Sequence, residues 1–150
     1  MEDLIIKIYN ETKEIKEGKV ADYIPHLANV NPELYAISYC DIKGKIYNIG
    51  DYQNDFCLQS CSKPLNYCLA RMLNKEKQNE DVHCHVGYEP SGREFNSFVL
   101  NRDGLPHNPL INAGAIMVSS LINSEDEPSK RFEVVQKFYE KISGNYGKIG

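Results

Sequence analysis

The chain of 150 residues contains no apolar run approaching the roughly 18–20 residues that a membrane span requires. Its opening, Met1-Glu2-Asp3-Leu4-Ile5-Ile6, has neither a basic n-region nor an Arg-rich amphipathic start. No signal or transit peptide is therefore expected, and the cytoplasm is the favoured compartment. Excess positive charge is also missing. Seventeen Lys and Arg against 21 Asp and Glu leave a net charge of −4, which argues against a nucleic-acid partner. The five cysteines are odd in number and irregularly spaced, so no disulfide framework is expected and a reducing compartment suits the chain. Internal repeats and an interdomain linker are absent too. What is present, 41% apolar and 25% charged residues, is the composition of a single globular domain.

Apolar periodicity predicts a helix over residues 3–17, carried by Leu4, Ile5, Ile8, Tyr9, Thr12 and Ile15, with Gly18 placed to end it. A short helix or turn follows at Asp22–Ala28, closed before Pro32. Two β-rich runs, 34–40 and 45–50, flank Asp41-Ile42-Lys43-Gly44 and predict a hairpin. Residues 51–57 form an irregular loop that leads to a helix with Pro64 in its first turn, continuing to about Asn74. The polar run 74–81 reads as a solvated loop, and 82–108 as turns rich in Gly and Pro. Residues 110–122 are apolar nearly all round and predict a buried helix. Phe132, Val135, Phe138, Tyr139 and Ile142 make a last amphipathic helix with Gly144 as its stop.

The chemistry concentrates in Phe56-Cys57-Leu58-Gln59-Ser60-Cys61-Ser62-Lys63-Pro64. A Ser three residues before a Lys at a helix start puts both side chains on one face of the first turn. An amine held beside a hydroxyl can take its proton when it is neutral, and burial and the positive helix end both favour that form. The product is a serine nucleophile activated without histidine. On spacing alone the same residues read more readily as a Ser N-cap followed by a surface Lys.

Four motifs stand in one order: Gly18-Lys19-Val20-Ala21-Asp22-Tyr23-Ile24-Pro25, then Gln59-Ser60-Cys61-Ser62-Lys63-Pro64, then Val86-Gly87-Tyr88-Glu89-Pro90-Ser91-Gly92 with Phe95-Asn96-Ser97, then Pro106-His107-Asn108-Pro109-Leu110-Ile111-Asn112-Ala113-Gly114-Ala115-Ile116. Over roughly residues 18–144 the chain closely resembles the glutaminase family, serine enzymes that hydrolyse L-glutamine to L-glutamate and ammonia. The resemblance implies an α+β fold of the β-lactamase/transpeptidase type, an antiparallel sheet flanked by helices. It implies Ser60 as nucleophile and Lys63 as general base, with no cofactor. Asn112 would contact the amino-acid end of the substrate, Tyr23 and Gln59 would line the pocket, and the Ser60 backbone N–H would form one arm of an oxyanion hole. It further implies a homo-oligomer, and it keeps a mitochondrial location as the alternative to the cytoplasm.

The family's catalytic domain continues well beyond the extent of this chain. It adds a glutamate, an asparagine, two tyrosines, a Lys-Ser-Gly segment and further strands. The chain is thus expected to be the N-terminal half, one hairpin plus several helices, and neither Tyr139 nor Tyr146 stands in the context of the family's tyrosines. A different class of reading is a catalytically incomplete chain that only binds, pairing with a full-length subunit or a separate C-terminal half, or a truncated product without function. Uncovered apolar faces on the hairpin and on 110–122 would then promote association.

Other polar residues have plainer readings. Asn112 in an apolar helix is either a substrate contact or a structural Asn bonded to a neighbouring loop. Tyr23 is either a pocket residue or a core aromatic with its hydroxyl bonded. His83-Cys84-His85 near Cys57, Cys61 and Cys68 matches no standard zinc spacing, so no metal site is expected. His107 reads as a turn residue.

Overall fold

The computed structural model describes residues 1–78 and 80–144, and the chain folds as two compact units, Met1–Cys57 and Leu58–Gly150.

The first unit is built on one helix and one hairpin. Helix α1 spans Glu2–Thr12, with Glu2 and Asp3 in its first turn, where acidic side chains complement the helix dipole. Its inward face buries Ile5 and stacks Tyr9 on Tyr35, ring centroids 5.4 Å apart. The sequence predicts a helix to residue 17, but α1 ends at Thr12. The Thr12 hydroxyl lies 2.7 Å from the Ile8 carbonyl, to which it donates, and 2.7 Å from the Tyr35 hydroxyl. Beyond that point Ile15 is exposed, and Lys16 reaches across to Glu33 instead of continuing the helix. Gly18 is therefore not the helix stop. A four-residue helix, α2 (Pro25–Ala28), has Pro25 at its first position.

Strands β1 (Ala36–Cys40) and β2 (Ile46–Gly50) pair antiparallel, with Ile37 opposite Ile49 and Tyr39 opposite Tyr47. The turn between them is fixed by Asp41, whose Oδ1 accepts from the backbone N–H of Lys43 and of Lys45, at 2.8 and 2.9 Å, and by Gly44 at φ +81°. Gly50, at φ +79°, is required as glycine: a Cβ there would lie 2.3 Å from the Tyr35 carbonyl oxygen and 2.7 Å from the Tyr9 ring. Only Ile37, Tyr47 and Ile49 are even half-buried on this two-stranded ribbon, so most of its surface is uncovered.

The second unit is helical. A 3₁₀ turn at Gln59–Cys61 runs directly into α3 (Ser62–Glu76). A second 3₁₀ turn, Val82–Cys84, precedes an irregular stretch that ends at α4 (Asn112–Leu121), and α5 (Pro128–Ile142) follows. The core gathers Leu69 and Ala70 of α3, Val82, Val86, and Val118 and Ile122 at the end of α4, with Val134, Val135 and Phe138 of α5 packed against it. Gly144, at φ +66°, ends α5 as predicted.

Two expectations for this unit are corrected. The polar run 74–81 is not all solvated loop: α3 extends to Glu76, Asn74 is buried, and Asp81 caps the Val82–Cys84 turn through the His83 N–H. That backbone bond, with the Arg71 guanidinium nearby, holds the Asp81 carboxyl below its ordinary value. Nor is α4 buried all round: Ala113, Gly114 and Val118 face the core, while Ile116 is 70% exposed. Tyr146 lies outside the described residues.

Candidate active site

Ser60 stands at the centre of the 3₁₀ turn, and Lys63 is the second residue of α3. The backbone is helical through Cys61 and Ser62, so the two residues are three apart on a continuous helical path. In 3₁₀ geometry that spacing superposes side chains on one side. The helical turn also leaves the Ser60 N–H among the donors that have no partner further back along a helix.

The residue before Ser60 carries a signal that sequence reading does not show. Gln59 has φ +50°, in the left-handed region. For a residue with a Cβ this costs on the order of 1 kcal/mol, and such outliers concentrate at functional sites. This left-handed residue bends the chain between Leu58 and Ser60, and Ser60 is exposed in the 3₁₀ turn that leads into α3. The Ser62 hydroxyl secures this bend by donating to the Gln59 carbonyl at 2.8 Å.

Lys63 and Asn112, 49 residues apart in sequence, meet in space. The Lys63 ammonium donates to Asn112 Oδ1 at 2.7 Å, and both side chains are half-buried. Among the described residues the acceptor for this ammonium is Asn112, not the Ser60 hydroxyl. Asn112 is the first residue of α4, and its backbone N–H donates to the Phe95 carbonyl at 3.1 Å. Asn108 shapes the approach to it. Its Oδ1 accepts from the N–H groups of Leu110 and Ile111, and its amide donates to the Glu89 carbonyl at 3.0 Å. Gly114 lets α4 lie directly on this loop, because a Cβ there would fall 1.7 Å from the Asn108 carbonyl oxygen.

A shallow cleft of about 360 Å³ opens beside the Lys63–Asn112 pair, lined by Ser62, Lys63, Asn66, Asn112, Ala115, Ile116 and Ser119. Asn66 and Ser119 are polar lining residues that motif reading missed. Only the i+3 spacing of Asn66 from Lys63 along α3 could have pointed to the former. Tyr23 belongs to the first unit, where it is exposed ahead of α2 beside the Lys19–Asp22 ion pair. A larger concavity in that unit, about 840 Å³ and lined by Val20, Leu27, Tyr35 and Phe56 among others, includes none of the predicted site residues.

His83 is held in a structural network. Its Nδ1 lies 2.9 Å from the Val86 carbonyl oxygen and its Nε2 2.6 Å from the Tyr67 hydroxyl. The carbonyl can only accept, so the Nδ1 N–H donates to it, while Nε2 pairs with the Tyr67 hydroxyl. The His107 carbonyl accepts from the Glu89 N–H. Among the described residues no group of three or more His, Cys, Asp or Glu side chains is placed to hold a metal ion, and no helix is long and apolar enough to cross a membrane.

The family model described as Glutaminase matches residues 18–149. The chain belongs to the glutaminase family. Its sequence is 44% identical over 139 residues to the mitochondrial liver-isoform glutaminase of Rattus norvegicus, covering 93% of this chain and 23% of that protein. It is 40% identical over 136 residues to the glutaminase of Trichormus variabilis, covering 90% of this chain and 40% of that one. The crystal structure of Mglu in its L-glutamate binding form superposes with a TM-score of 0.83 at 29% identity, covering 96% of this chain and 32% of Mglu. This glutaminase-family chain therefore spans less than half the length of these relatives. Its partial α+β fold, a two-stranded antiparallel sheet with helices, is that of its structural neighbours.

Proposed function

We propose that the protein of which this chain forms part hydrolyses L-glutamine to L-glutamate and ammonia, with Ser60 as nucleophile and Lys63 as its base. The observation that supports this best is the strained Gln59–Ser60 bend, which feeds straight into the turn bearing Lys63, itself bonded to Asn112. In the reaction the Ser60 oxygen attacks the side-chain carbonyl carbon of glutamine while its proton passes to neutral Lys63. The carbon–nitrogen bond then breaks, and the proton goes from Lys63 to the departing nitrogen, releasing ammonia. Water attacks the glutamyl ester in the same manner, giving glutamate and restoring Ser60. The Ser60 N–H would stabilise the oxyanion of both tetrahedral intermediates. Asn112 would bind the amino-acid end of the substrate, with Gln59 lining the pocket. Binding there competes for the Asn112 oxygen and would free the Lys63 amine to turn toward Ser60.

A second reading is that the chain binds without turning substrate over. It is favoured by the Lys63–Asn112 bond, which occupies the amine, and by the exposed apolar side chains Phe95, Phe98 and Ile116, which suit an association surface within a homo-oligomer. Ammonia release from L-glutamine, measured for wild type, Ser60→Ala and Lys63→Ala, separates the two. Turnover lost in both variants supports hydrolysis by this pair. Silence in all three, from a chain that associates with a second copy, supports the binding reading.

A further inference from the structure

The Tyr139 ring lies in the core of the second unit, 8% exposed and edge-on to Phe138 at 6.0 Å between centroids. Packing accounts for the ring, since a Phe would fill the same space. It does not account for the hydroxyl, because a buried hydroxyl is tolerated only when bonded. This one lies 3.2 Å from the Ser62 carbonyl oxygen and 3.0 Å from Asn66 Oδ1, and shares its proton between them. Both acceptors lie near the start of α3, and they flank Lys63.

We propose that Tyr139 is a positioning residue for Lys63, tying α5 to the turn that carries the proposed base. Its catalytic consequence rests on the reading of Lys63 as base; the tie itself rests on geometry alone. Ser62 is the junction. Its carbonyl is held by Tyr139, while its hydroxyl holds the Gln59 carbonyl, so one chain of bonds runs from α5 to the strained residue behind Ser60. With Asn66 Oδ1 engaged by Tyr139, the amide N–H groups of Asn66 are left as its donors toward the cleft it shares with Lys63 and Asn112. Burial raises the Tyr139 phenol above its ordinary value, so it remains a donor through the neutral and mildly alkaline range.

The test is Tyr139→Phe in the full-length protein, with three readouts: kcat and KM for L-glutamine, the thermal midpoint, and the rate at which a small amine-selective ester acylates Lys63, followed by peptide mass spectrometry. Loss of one shared hydrogen bond should speed Lys63 acylation about 3- to 10-fold and lower kcat by a similar factor. KM should stay within about twofold, and Lys45 and Lys137 should react as in wild type. Asn66→Ala, which removes one acceptor and leaves the core untouched, should act in the same direction but more weakly. Unchanged Lys63 acylation in folded Tyr139→Phe overturns the proposal, as does a kcat loss that only tracks the unfolded fraction. If wild type hydrolyses no glutamine, the reading of Lys63 as base fails, and Lys63 acylation alone decides whether the tie exists.

Discussion

Gly114→Ala adds a single methyl group at the point where α4 lies on the loop before it. The new Cβ would sit 1.7 Å from the Asn108 carbonyl oxygen, 2.6 Å from its carbon and 3.2 Å from Pro109 Cα, all backbone atoms that cannot rotate aside. Raising the closest contact to 3.0 Å, the least that folded structures show, requires helix and loop to part by about 1.3 Å. The loop cannot yield freely, because Asn108 is bonded to Leu110, Ile111 and Glu89. The helix must therefore move, and Asn112, two residues upstream, moves with it. Overpacking of this kind costs about 1–3 kcal/mol, against which Ala gains roughly 1 kcal/mol over Gly in a helix. A parting of 1.3 Å would also take the 2.7 Å Lys63–Asn112 bond beyond hydrogen-bonding range. Urea unfolding should show a midpoint lowered by an amount equivalent to up to about 2 kcal/mol net. Lysine acylation should show Lys63 newly reactive. An unchanged midpoint together with a protected Lys63 would refute the reasoning, because it would mean that the loop and not α4 gives way.

Asn112→Ala should expose the Lys63 ammonium and destabilise by about 1–2 kcal/mol in chemical denaturation, since a charge-assisted bond is lost at a half-buried site. Gln59→Gly should leave stability level or raise it by up to about 1 kcal/mol, as relief of the left-handed strain offsets the greater freedom of the unfolded chain, whereas Gln59→Val should destabilise clearly. Asp81, with its carboxyl depressed chiefly by the His83 N–H, contributes stability above its ordinary value of 3.8 that is lost as pH falls through the lower folded-state value. Asp81→Asn should therefore make acid unfolding less steep below about pH 4. Tyr139, with its phenol raised by burial, is protonated in both states below 10.0, and above it the unfolded chain ionises first. Stability should fall as pH rises past that value, and less so in Tyr139→Phe, read as thermal midpoint against pH.

The hairpin was legible because β-rich runs flank Asp41 and Gly44, whose local chemistry settles the turn without outside help. Helices α3 and α5 were legible from an apolar stripe, joined in α3 by Pro64 in the first turn and in α5 by Gly144 as its stop. The length of α1 was not. Its periodicity continues to Ile15, but the Tyr9–Tyr35 stack and the Thr12–Tyr35 contact, both made with a segment more than 20 residues away, decide where helix stops gaining from packing. The exposed side of α4 escaped because an all-apolar stretch does not say which face finds a partner. In the site, Ser60, Lys63 and Asn112 were named from motifs, and the structure joins the last two directly. The left-handed Gln59 and the Tyr139 hydroxyl were invisible, since neither a dihedral angle nor a contact 73 residues distant leaves a periodic trace.

The most direct measurement is acid-quenched mass spectrometry of the full-length protein mixed with L-glutamine. The expected result is a glutamyl adduct on the peptide containing Ser60, absent in Ser60→Ala and sharply reduced in Lys63→Ala. An adduct on Cys57 or Cys61 in place of Ser60, or glutamine turnover that survives Ser60→Ala, would contradict the assignment of the nucleophile.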